Sequence, residues 1–72
     1  MVNIRDNLTL KACRIIAKIK AEELARAAGV TVDTYYKWEN GKSFPNMPQM
    51  NRIVQYFVGK GFYVEVNDIN FF

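Results

Sequence analysis

The chain offers few residues with the chemistry of catalysis or metal binding. It contains no histidine and a single cysteine, Cys13, so it can form neither a zinc site nor a cysteine–histidine pair. The sequence has no glycine-rich phosphate loop and no pair of carboxylates suited to acid–base catalysis. We therefore expect no enzyme activity, metal, cofactor or small-molecule substrate. Cys13 lies in an apolar helical pattern and is interpreted as a small buried hydrophobe.

The stretch GVTVDTYYKWENGK, residues 29–42, has side chains suited to recognition. Lys37 can donate hydrogen bonds to guanine, Val32 can contact a thymine methyl group, and Asp33 can accept from a cytosine amine. Tyr36 can stack or donate a hydrogen bond. None of these side chains except Lys37 is a conventional base reader, so the stretch suits a protein surface as well as DNA.

The net charge of +3 is modest, and its placement is more informative than its size. Most of the basic residues fall in the first two predicted helices or beside the third. This arrangement suits phosphate contact, although an ordinary solvated helix surface would look similar. The residues are Lys11, Arg14, Lys18, Lys20, Arg26, Lys37 and Lys42.

The length of 72 residues predicts one domain, residues 1–72. The beginning, MVNIRDNLTL, has no long apolar run and no cleavage site, so a secretory signal is not expected. No apolar run approaches the roughly 18 residues of a membrane span, so we expect no membrane association. A lone free thiol is typical of a reducing compartment, and the predicted localisation is the cytoplasm.

Apolar periodicity and capping residues predict an all-α fold, a compact bundle of four to five helices. The first helix is predicted at 8–18 with Thr9 as a cap, and the second at 21–28, ending at Gly29. A tight turn separates it from a third helix at 32–39, whose N-cap is Thr31.

The fourth helix is predicted at 46–58 and is capped by Asn46. The tail that follows it is compatible with two conformations. In the tail, Phe62, Val64 and Val66 alternate as in a short strand, and Asn67 could cap a short fifth helix at 67–71. We favour a partly extended tail and then this helix. The predicted core combines the apolar positions of all four helices: Leu10, Leu24, Ala25, Ala28, Val30, Tyr35, Trp38, Met50, Ile53, Val54 and Phe57.

Residues 10–57 resemble the Cro/CI-type (XRE-like) helix-turn-helix family of phage and bacterial transcriptional regulators. Five features occur in register, namely Arg14, Glu23-Leu24-Ala25, Gly29-Val30-Thr31, Glu39-Asn40-Gly41-Lys42 and Pro45. The resemblance implies a structural ion pair between Arg14 and Glu39. It also implies that the third helix enters the major groove of double-stranded operator DNA.

When the family's contact positions are carried over to this sequence, the groove-facing residues would be Val32, Asp33, Tyr36 and Lys37. Phosphate contacts would come from the start of the second helix and from Asn40 and Lys42. The sequence departs from the family at Ala21 and Val32, where long amide side chains are usual. In its small size the chain resembles the Cro-like and modulator-of-repression proteins of temperate phage switches.

Two functions therefore remain open. The protein could be an antirepressor that binds a cognate CI-type repressor as a heterodimer, with Glu22, Glu23 and Asp33 facing the repressor's basic surface. Alternatively, it could be a Cro-like dimer that binds operator DNA directly. A structural or toxin–antitoxin partner module is a third class. The predicted DNA- or repressor-binding face comprises Lys20, Glu22, Glu23, Val32, Asp33, Tyr36, Lys37, Asn40 and Lys42.

The adjacent Ile15 and Ile16 cannot both point at one core, and the aromatic end of the chain exceeds what a small domain easily buries. These residues suggest a further contact surface, unless one isoleucine packs against the tail.

Overall fold

The computed structural model describes residues 8–71. Within this range four helices form a bundle, and two short strands join the ends of the described chain. This architecture confirms the predicted all-α class. Phe72, which was predicted to contribute to the aromatic end, lies outside the described residues. The elements are β1 (Leu8–Thr9), α1 (Leu10–Ile16), α2 (Ala21–Ala28), α3 (Val32–Glu39), α4 (Met47–Gly59), a 3₁₀ turn (Val66–Asp68) and β2 (Ile69–Asn70).

Helix α1 is shorter than the predicted 8–18. Its start is fixed by Thr9, whose hydroxyl accepts a hydrogen bond from the Ala12 N–H at 3.1 Å, as expected of an N-cap. Its end is fixed by Lys18, whose φ of 59° is left-handed and cannot continue a right-handed helix. The capping role of Thr9 was predicted, but the early stop was not, because a lysine in this conformation has no sequence signature.

Helices α2 and α3 have the predicted bounds, and the turn between them explains why. Gly29 adopts a φ of 79°, which glycine tolerates without steric cost, and so ends α2. Thr31 then caps α3 by accepting a hydrogen bond from the Thr34 N–H at 3.2 Å. Helix α4 lies one residue later than predicted, because Asn46 and Gln49 form a reciprocal capping box ahead of Met47.

The tail differs most from the prediction. The alternation of Phe62, Val64 and Val66 does not form a strand: residues 62–65 belong to no helix or strand, Val66 begins the 3₁₀ turn, and of the three only Val64 is buried. The expected helix at 67–71 is replaced by the 3₁₀ turn and by β2, which pairs in parallel with β1 in the register Leu8 to Ile69. The partner of this strand lies at the other end of the described chain, so local pattern could not reveal it.

Buried apolar side chains form one core cluster between the helices and the terminal strands. Val30 and Val54, predicted as core, are only partly buried and pack against its edge, since one lies in the turn and the other on the flank of α4. The predicted residues that are buried are Leu10, Leu24, Ala25, Ala28, Tyr35, Trp38, Met50, Ile53 and Phe57. Cys13, which was interpreted as a small buried hydrophobe, is buried as well. The core also contains residues that were not predicted for it, namely Ile19, Ala21, Val64, Ile69 and Phe71.

A partly buried ion pair joins α1 to the end of α3. Arg14 Nε donates to Glu39 Oε2 at 2.7 Å, and Arg14 Nη1 donates to the carbonyl of Ile19 at 3.1 Å. The Glu39 side chain is only 3% exposed, so its charge depends on the guanidinium for compensation. The hydrogen bond to Glu39 raises the pKa of Arg14, so the guanidinium stays charged at neutral pH.

The Tyr35 hydroxyl is buried beside this pair and has no hydrogen-bond partner among residues 8–71. Burial is the main cause that raises the pKa of Tyr35, and the Glu39 carboxylate adds to the effect. The phenol therefore stays neutral, and its ring serves as core, with its edge directed toward Trp38 at a centroid distance of 6.0 Å.

Breaking the ion pair from one side should be costly. Arg14→Met leaves the Glu39 carboxylate buried and uncompensated, and we expect the free energy of unfolding to fall by roughly 3–5 kcal/mol. Arg14→Lys should lie between wild type and Arg14→Met, because an ammonium group cannot make both hydrogen bonds in the same geometry. Urea unfolding followed by circular dichroism measures the loss, with Lys11→Met, at an exposed position of the same helix, as the control.

The double variant Arg14→Met/Glu39→Leu should be more stable than Arg14→Met alone, since the second change removes the unpaired charge. Simple additivity of the two single losses would contradict a coupled, partly buried pair.

The thiol of Cys13 should be unreactive in the folded protein. Cys13 is fully buried, and burial followed by the nearby Asp68 charge raises its pKa to about 11. Because a thiol is protonated below its pKa and only the thiolate reacts, labelling by an aromatic disulfide at pH 8 should proceed at the rate of unfolding. Rapid labelling without denaturant, at the rate of an unfolded control, would show that the site is open.

Candidate nucleic-acid and protein interface

Packing fixes the orientation of α3. Three residues join α2 to α3, and the two helices pack tightly against one another. Tyr35 and Trp38 are buried on one side of α3. At about 100° per residue, the opposite side carries Asp33, Tyr36 and Lys37, together with Asn40, which ends the helix. All four of these side chains are exposed, and we call them the exposed α3 face.

The exposed α3 face combines one anion, one cation, one phenol and one amide. The Tyr36 side chain is 42% exposed, and its ring makes an edge contact with the buried Tyr35 at a centroid distance of 6.2 Å. This contact braces an aromatic ring on the surface. Such a braced ring loses little conformational entropy when a partner covers it.

Val32 contributes less to this surface than the sequence suggested. Its side chain is only partly buried, but it packs against the core cluster at the first turn of α3. Val32 can therefore present an apolar edge to a thymine methyl or to a partner, but it offers no hydrogen bond.

The segment after α3 folds back onto the helix. Asn40 is the C-cap, Gly41 has a φ of 75°, and the Lys42 N–H donates to the carbonyl of Lys37 at 2.9 Å. This turn holds the exposed Asn40 and Lys42 beside the exposed α3 face. Both side chains are therefore accessible to any partner that covers the exposed α3 face.

At the start of α2 the predicted residues are only partly available. Lys20 is the N-cap residue, and both Lys20 and Glu22 are exposed. Ala21 is 3% exposed and belongs to the core, and its methyl group can neither bind phosphate nor support α3. The two acidic residues of the first turn stabilise α2 through its dipole.

Glu23, predicted for the binding face, is engaged by α4. Its Oε1 accepts from the Lys20 N–H at 3.3 Å, and its Oε2 accepts from the Tyr56 hydroxyl at 2.7 Å. Lys60 lies 3.9 Å from the same carboxylate. The hydrogen bond from Tyr56 is the main cause that lowers the pKa of Glu23. The sequence could not reveal this role, because the contact joins two helices of unknown relative rotation.

Arg52 is a further residue that the sequence analysis missed. Its Nη1 donates to the carbonyl of Ala28 at 3.4 Å, at the C-terminal end of α2, where a cation complements the helix dipole. This contact ties α4 to the turn of the helix-turn-helix. An arginine in the middle of an amphipathic helix gives no signal for such a role.

Two other features complete the surface. Ile15 and Ile16 are 57% and 38% exposed, so neither is buried under the tail. A pocket of about 200 Å³ separates the end of α3 from the terminal strands. The described residues contain no cluster of acidic or cysteine side chains that could hold a metal, and none of their helices is long and apolar enough to cross a membrane.

Comparison with known proteins identifies the domain. The model of the helix-turn-helix family HTH_3 matches residues 10–57, which include α1 to α3 and most of α4. No curated protein and no solved structure matched the chain. The matched segment covers two thirds of the sequence and contains the helix pair, the turn and the Arg14–Glu39 pair described above. The chain therefore belongs to the XRE-type helix-turn-helix family of DNA-binding transcriptional regulators.

Proposed function

We propose that the protein is an antirepressor in a phage genetic switch of the lysis/lysogeny type. In this role it binds a cognate CI-type repressor as a heterodimer through the faces of α2 and α3, alone or together with operator DNA, in the cytoplasm of the bacterial host. The observation that carries the proposal is the composition of the exposed α3 face. That face holds an anion and an aromatic ring, and Lys37 is its one conventional base reader.

Electrostatics favours a protein partner for this surface. The exposed carboxylates of Glu22 and Asp33 would face phosphates if α3 lay in a DNA groove, and like charges repel there. A repressor's own DNA-binding face is basic and therefore complementary to these carboxylates. Glu23 makes a smaller contribution, because Tyr56 and Lys60 already engage it.

The aromatic ring supplies the second argument. Tyrosine is enriched among the residues that dominate the affinity of protein interfaces. Tyr36 is exposed at the middle of α3, and its ring packs against the ring of the buried Tyr35. Lys37 and Asn40 follow Tyr36 on the exposed α3 face and can provide the polar rim of such a contact.

A Cro-like dimer that binds operator DNA directly is the second candidate. It is favoured by Lys37, an exposed base reader on α3, and by Lys20 and Lys42, which lie beside the positions of phosphate contact. The family match supports DNA binding in general. The two candidates use the same surface and differ in what covers it.

The charge of Asp33 distinguishes the two candidates. For an antirepressor, Asp33→Lys should weaken repressor binding by at least roughly tenfold, because a carboxylate that faces basic groups becomes a repelling cation. Isothermal calorimetry with the repressor encoded beside this gene measures the change. Glu65→Lys, an exposed change of the same charge in the tail, is the matched control.

Binding that Asp33→Lys leaves unchanged would exclude an acidic docking role for α3. Tighter binding to DNA by the same variant would favour the operator-binding candidate instead.

Direct DNA reading makes a different prediction for two lysines. Lys37→Ala should remove sequence preference and cost about 1–3 kcal/mol on the preferred site, whereas Lys42→Ala should weaken binding to all sequences alike. Binding measured at several salt concentrations should show the slope of log K against log salt falling by about one for Lys42→Ala. Equal effects of both variants on specific and random DNA would contradict a reading role for Lys37.

Gel shift combined with size-exclusion chromatography tests the proposal as a whole. A complex of this protein with the repressor that no longer shifts the repressor's operator is the expected result. If the two proteins elute separately and this chain shifts the operator alone, the antirepressor proposal fails.

A further inference from the structure

We propose that the paired terminal strands act as a positioning element for the end of α3. We call β1 together with residues 69–71 the terminal clasp. The clasp lies outside the matched residues 10–57, so it is an addition to the helix-turn-helix frame. The proposal gives the clasp a part in recognition and rests on the proposed role of α3 as the contact helix.

The clasp is joined to the core on both of its strands. Leu8 pairs with Ile69 and Thr9 with Asn70, and Thr9 is also the N-cap of α1. Ile69 and Phe71 are 4% and 5% exposed and belong to the core cluster. The clasp is therefore a packed layer whose removal would open the core.

The clasp faces the last turn of α3. The pocket of about 200 Å³ is bordered by Thr9, Asn70 and Phe71 on the clasp side, and by Trp38, Glu39 and Gly41 on the α3 side. Trp38 is 5% exposed and the Glu39 side chain is 3% exposed. The pocket already leaves space between the clasp and the last turn of α3, and an open clasp would extend the access of water to the buried parts of Trp38 and Glu39.

This location connects the clasp to the recognition surface. The turn after α3 is held by four backbone hydrogen bonds, in which the N–H groups of residues 40–43 donate to carbonyls of residues 36–38. Asn40 and Lys42 are exposed beside the α3 face. An open clasp would loosen this turn first and would leave α2 and its capped C-terminus in place, because stability in proteins varies locally.

Amide hydrogen exchange in the free protein tests the inference without a binding partner, so its outcome is independent of what α3 contacts. In Phe71→Ala, exchange at Asn40 and Lys42 should accelerate at least roughly tenfold more than exchange at Gly29 and Val30, which belong to the end of α2. Trp38, the only tryptophan of the chain, should show red-shifted fluorescence. Circular dichroism verifies that the variant is folded.

Three further variants make the test specific. Phe71→Leu should restore most of the protection of the Asn40 and Lys42 amides. If Phe71→Ala does not fold, Ile69→Val replaces it and should show the same local acceleration of exchange with a smaller amplitude. Tyr63→Ala, at a side chain 77% exposed in the same tail, should behave as wild type. Equal acceleration at residues 29–30 and 40–42, or none at 40–42, would overturn the proposal.

Discussion

The arrangement of the three central helices depends on one partly buried ion pair. Arg14 reaches the last residue of α3 and the segment between α1 and α2 with a single guanidinium. A planar group with several fixed donors can hold two elements at once, which an ammonium group cannot do with the same precision. The pair anchors the end of α3 to α1, while the buried Tyr35 and Trp38 determine which residues α3 turns toward solvent. The chemistry of the exposed α3 face follows from these two constraints.

Local sequence signals predicted the elements that position this surface. Gly29 and Thr31 determine the turn because one supplies a left-handed backbone and the other a hydroxyl cap, and both effects act within a few residues. The all-α class and the bounds of α2 and α3 could therefore be predicted. The early end of α1 could not, since it depends on Lys18 adopting a conformation that few lysines adopt.

Long-range contacts account for the remaining differences. The engagement of Glu23 by Tyr56 depends on the rotation of α4 against α2, and the pairing of Ile69 with Leu8 joins segments that share no local pattern. Within the recognition surface, the sequence predicted which side chains α3 would expose, because Tyr35 and Trp38 define its buried side. It could not predict that one of the three proposed docking carboxylates would be occupied within the protein.

The parallel pairing of β1 with β2 also has a consequence for how the chain folds. Helix contacts such as Arg14–Glu39 and Glu23–Tyr56 join residues 25 and 33 positions apart, which is closer in sequence than the paired strands, and contacts between nearer segments form sooner. The two strands instead close a loop that contains nearly the whole described chain, which costs chain entropy. This loss becomes small only once the packed helices hold the two ends close together. During synthesis β1 emerges first and must wait for β2. The strands are thus expected to pair last, after the recognition helix already exists.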